Sequence, residues 1–124
     1  MAPRLATHLL GLCNLVAGAL VACTPALLMP GLQGLDSPGS RVLGVSLGVV
    51  LAAVGVGAWL MPSDGRRAYL WIFGVAVKVA GAAVWGLAAM TTGVTTLAMG
   101  AAFDLVVAAA IAVLLRTMRQ ADYA

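Results

Sequence analysis

The chain contains no glutamate, a single histidine, two cysteines and only 9% charged residues across its 124 positions. Each scarcity excludes something. A soluble domain carries about 25% charged residues, so a chain that is 63% hydrophobic and 9% charged is no water-soluble globule. One histidine cannot supply the His pairs that a haem ligated inside a helical bundle requires. There is no CxxC and no Cys/His cluster, which removes metal and redox motifs. A Ser/His/Asp set, paired carboxylates, a phosphate loop and a dinucleotide fingerprint are all missing. The expectation is a protein that is not an enzyme, with no cofactor and no metal. The net charge of +3 comes from basic residues scattered at the ends of apolar runs. With no basic run and no aromatic platform, nucleic acid is not an expected partner.

What the chain does have is long apolar runs: 8–29, 42–60, 68–90 and 97–115. About 20 apolar residues in a helix cross roughly 30 Å of hydrocarbon. The runs predict one integral membrane domain over 1–124. Its expected form is an all-α, left-handed four-helix transmembrane bundle, up-down-up-down. Ala, Gly and Val dominate the apolar set, which makes thin helices with close contacts. The stretch from Pro30 to Ser40 reads as a loop, Met61 to Arg67 as a tight turn, and Thr91 to Thr96 as a short connection.

Charge placement predicts orientation. Arg4, Arg66, Arg67, Arg116 and Arg119 fall on one side of four spans, and Arg41, with Asp36 nearby, on the other. The excess of basic residues on the cytoplasmic side of membrane proteins then places both termini and the 61–67 turn in the cytoplasm. A bacterial cytoplasmic (inner) membrane, multi-pass, is the expected location. Trp59, Tyr69 and Trp71 form half of an aromatic belt, with Trp85 toward the other interface.

Two apolar runs each carry an ionisable residue, Lys78 in the third and Asp104 in the fourth. A lone charge near mid-bilayer costs from about 2.5 to about 17 kcal/mol. Counted from the centre of the connection, the two differ in depth by about five residues, or about 7–8 Å. A Lys side chain spans most of that, so an intramembrane ion pair is expected, with both residues pointing into the bundle. Gly74, Ala82 and Gly86 share a face with Lys78, and Ala101 and Ala108 share one with Asp104. Asn14 is the strongly polar residue of the first run and is expected to bond across to another helix. Gly44 and Gly48 form a GxxxG, extended by Ala52 and Gly55, that marks close packing inside the bundle.

Cys13 and Cys23 lie about 15 Å apart along one helix and cannot bridge. Leu20 to Cys23 resembles a lipoprotein cleavage box, but a retained first helix is expected. His8 sits at the entry end of that helix, at headgroup level.

Small multidrug-resistance transporters share this length and helix number but carry a membrane-embedded Glu in the first helix, where this chain has Asn14. The polar pore pattern of fluoride channels is also missing. Gly74-x-x-x-Lys78, then Phe103-Asp104-Leu105 and Leu114-Leu115-Arg116, resemble small bacterial four-helix membrane proteins of the DoxX-like kind. The resemblance covers the second half of the chain. It implies the four-helix fold, and that group has no settled shared activity. The functional expectation is a non-catalytic accessory or structural subunit of a larger bacterial membrane complex, with the bilayer and other membrane subunits as partners. The alternative is a small proton- or ion-coupled transporter or channel using Lys78 and Asp104.

Overall fold

The computed structural model describes residues 2–23 and 38–117, all of them helical apart from two short connections. Helix α1 is Ala2–Cys23, α2 is Pro38–Leu60, α3 is Ser63–Thr92 and α4 is Thr95–Thr117. Each contains a stretch long and apolar enough to cross a membrane. Thr24, Pro25 and the stretch from Pro30 to Ser37 lie outside the described residues.

Several boundaries differ from the sequence reading, for local reasons. Ser63–Tyr69 is helical, so the expected turn shrinks to Met61-Pro62. Pro62 cannot extend α2 because it has no N–H to donate. It starts α3 instead: its carbonyl accepts from the Arg66 N–H at 3.0 Å. Asp64 Oδ1 accepts from the Gly65 N–H at 3.0 Å, which suits an acid in a first turn. Between α3 and α4 only Gly93-Val94 is non-helical. Gly93 has φ 71°, the left-handed conformation that closes helices and that favours glycine. Thr91 and Thr92 remain helical, and their hydroxyls donate to the Leu87 and Ala88 carbonyls. Pro38–Ser40, read as loop from composition, opens α2.

Helix α3 is not uniformly α. Leu70–Ala76 is a π-helical stretch, ending with the Val77 N–H donating to the Ile72 carbonyl. Its effect is visible in what α3 buries: Leu70, Gly74, Lys78 and Ala82. Each four-residue step in an α-helix overshoots a full turn by about 40°, so three steps drift by about 120°. The wider i→i+5 turns absorb that drift and hold the four residues in one stripe.

α1 is the central element. It packs along α2 and also against α4 and the π stretch. Ala6 and Leu10 of α1, Ala58 of α2, Leu70 of α3 and Val107, Ile111 and Leu115 of α4 form the main core. α2 leans chiefly on α1 and stands at the flank of the group.

The α1–α2 contact is made by small residues meeting in opposite order along the two helices. A Cβ on Gly18 would lie 2.5 Å from the Gly48 carbonyl oxygen, and one on Gly48 would lie 2.5 Å from that of Gly18. One turn or two away, Gly55 lies against Gly11, and the Trp59 ring covers Gly11. Helices approach this closely in lipid where no side chain intervenes. Between α3 and α4 the order is again opposed: Gly74 meets Ile111, Gly81 meets Asp104 and Gly86 meets Ala101.

Candidate functional site: an intramembrane ion pair

Lys78 Nζ donates to Asp104 Oδ1 at 2.6 Å. The two side chains are 7% and 22% exposed, so the ammonium is enclosed and the carboxylate partly open. The offset of about one turn between their helical positions is spanned by the length of the Lys side chain. Space for the carboxylate comes from Gly81, where a Cβ would lie 3.3 Å from Asp104 Oδ2. Ala101 and Ala108 are buried on the face of α4 that carries Asp104. The approach of α3 to α4 nearby depends on Gly74, where a Cβ would lie 3.0 Å from Ile111 Cδ1. Gly86 makes a looser contact, 4.0 Å from Ala101 by the same measure.

α1 passes beside the pair. Leu10 reaches Gly74, where its Cδ2 would lie 3.7 Å from an added Cβ. Cys13 is half-buried and Cys23 exposed; both are free thiols. Asn14 is 2% exposed, and its Oδ1 has no hydrogen-bond partner among the described residues. The sequence predicts that the Asn14 side chain bonds across to another helix; its Oδ1 makes no such bond among the described residues. The Asn14 Cβ lies against Gly55 of α2. Of the GxxxG pair, Gly48 is buried at the α1 crossing and Gly44 is half-buried.

A second polar contact, which sequence reasoning did not single out, lies near one end of the helices. The Trp59 indole N–H donates to His8 Nδ1 at 3.1 Å, linking α2 to α1. The Tyr69 hydroxyl donates to the Val54 carbonyl at 2.9 Å, linking α3 to α2. Tyr69 also stacks on Phe73, with ring centroids 4.6 Å apart. The hydrogen-bond partners of Trp59 and Tyr69 are distant in sequence, 51 and 15 positions away.

Chemically, the pair can neutralise two charges in a low-dielectric interior or exchange a proton between them. Among the described residues, no group of three or more His, Cys, Asp or Glu is placed to hold a metal ion. Compared with protein-family models, with curated proteins and with solved structures, the chain has no match in any of the three.

Proposed function

We propose that this chain is a non-catalytic structural or accessory subunit of a larger membrane complex in the bacterial inner membrane. Its four helices run up-down-up-down, with both termini and the Met61-Pro62 turn on the cytoplasmic side. The observation that carries the reading is the direct Lys78–Asp104 contact. Two opposite charges that satisfy each other stabilise a helix pair and set its register without a substrate. The resemblance to DoxX-like proteins agrees with this form and adds no activity.

Purification from the native membrane in mild detergent, followed by mass spectrometry of co-migrating proteins, tests the reading. A stoichiometric set of larger membrane proteins is the expected result. A lone monomer or homodimer would overturn it.

A second reading, a small proton- or ion-coupled transporter or channel using the pair, is favoured by the buried Asn14 Oδ1, which has no partner among the described residues. It requires that replacing Lys78 and Asp104 together abolish transport while the fold persists.

A further inference from the structure

The helix ends gathered around His8 and Trp59 carry more chemistry than a membrane anchor needs. The core places Ala6, Ala58, Leu70 and Leu115 together. The start of α1, the end of α2, the start of α3 and the end of α4 therefore lie at one end of the molecule. That end holds Arg4, Arg66, Arg67 and Arg116, with Asp64 as its acid among the described residues. Arg41 belongs to the opposite end. Arg4 and His8 are four residues apart on α1, hence on one face, and both are exposed. The Trp59 ring lies beside that face, covering Gly11 and bonded to His8.

The bond to Trp59 also sets what His8 offers. An indole N–H only donates. His8 Nδ1, accepting it, carries no proton, so the neutral ring holds its proton on Nε2. The ring thus presents an N–H donor one helical turn from the Arg4 guanidinium, at the depth where the apolar span of α1 begins. A guanidinium, an N–H donor and an aromatic ring at headgroup depth match a phosphate ester attached to a lipid.

We propose that Arg4, His8 and Trp59 form a binding site for the headgroup of an anionic phospholipid, with the arginines of the same end supplying the attracting field. Arg4 binds the phosphate, His8 Nε2–H donates to it, and the Trp59 ring packs on the glycerol region. The proposal requires that the chain spans a bilayer. It does not depend on the subunit reading, so it stands or falls separately from the co-purification result.

The test uses the full chain with Trp71→Phe and Trp85→Phe, which leaves Trp59 as the emitter. The protein is placed in nanodiscs of phosphatidylcholine containing a minor fraction of either brominated phosphatidylglycerol or brominated phosphatidylcholine. Bromine quenches indole fluorescence on contact. At equal fractions, the anionic lipid should be enriched beside Trp59 by about fivefold for one arginine contact. Arg4→Gln leaves the His8–Trp59 bond untouched and should remove that excess, whereas Arg41→Gln should not. Added salt should weaken it. Equal quenching by the two lipids would overturn the proposal, as would an excess that survives Arg4→Gln in protein of unchanged helicity. Loss of the excess to inorganic phosphate at constant ionic strength would mark a general anion site and overturn the assignment to lipid.

Discussion

Lys78 on α3 and Asp104 on α4 meet at 2.6 Å, with the ammonium enclosed and the carboxylate partly open beside Gly81. Removing one partner strands the other charge in a low-dielectric interior. Lys78→Met alone and Asp104→Leu alone should each destabilise the protein by about 3–5 kcal/mol. The double replacement should be close to neutral, because it removes both desolvation costs together. Unfolding in detergent micelles, run as a double-mutant cycle, reads this directly. Additive single losses in the double variant would count against a coupled pair.

The Gly18–Gly48 crossing sets the distance between α1 and α2. In Gly48→Ala the new methyl would lie 2.5 Å from a backbone oxygen, which cannot move without its helix. A loss of about 1–3 kcal/mol is expected from the overpacking. Gly86→Ala, whose methyl would lie 4.0 Å from Ala101 Cβ, should cost far less. Thermal unfolding of the two variants side by side makes the comparison, and equal losses would contradict it.

The π stretch offers a test of register. If it accommodates one residue beyond a regular α-helix, deleting Val75 should convert Leu70–Ala76 to ordinary helix and keep Lys78 on its face. Deleting a second residue would rotate everything beyond by about 100° and carry Lys78 away from Asp104. Cysteines replacing Lys78 and Asp104, in a background with Cys13 and Cys23 changed to Ala, report the outcome by crosslinking. Crosslinking should persist after one deletion and fail after two.

Asn14 buries a carbonyl oxygen that has no partner among the described residues. Such an orphan costs about 1–3 kcal/mol. Asn14→Leu, similar in size and apolar, should therefore leave stability unchanged or raise it by about 1 kcal/mol. A clear loss of stability would show that the amide is satisfied in the membrane, with a bound water as the natural partner.

Four apolar helices were legible from hydrophobic run length alone, because a bilayer leaves a polar backbone few ways to cross it. The residue types of the candidate site were legible for the same reason: a Lys and an Asp stand out where hydrocarbon tolerates neither. Boundaries were less so. Composition assigned Ser63 to Arg67 to a turn, whereas Pro62 and Asp64 start a helix there through local hydrogen bonds.

Other features were settled by the tertiary structure. The π stretch has no sequence signature; with it, α3 buries Leu70, Gly74, Lys78 and Ala82. The packing of Asn14 against Gly55 joins residues 41 positions apart (55 minus 14). The His8–Trp59 bond spans 51 positions. Sequence by itself determined which segments are helices and which residues cannot face lipid, because those follow from transfer free energies summed along a chain. Which faces meet, at what distance and with which polar atoms satisfied was decided only by packing, where steric fit between distant glycines sets how closely the helices approach.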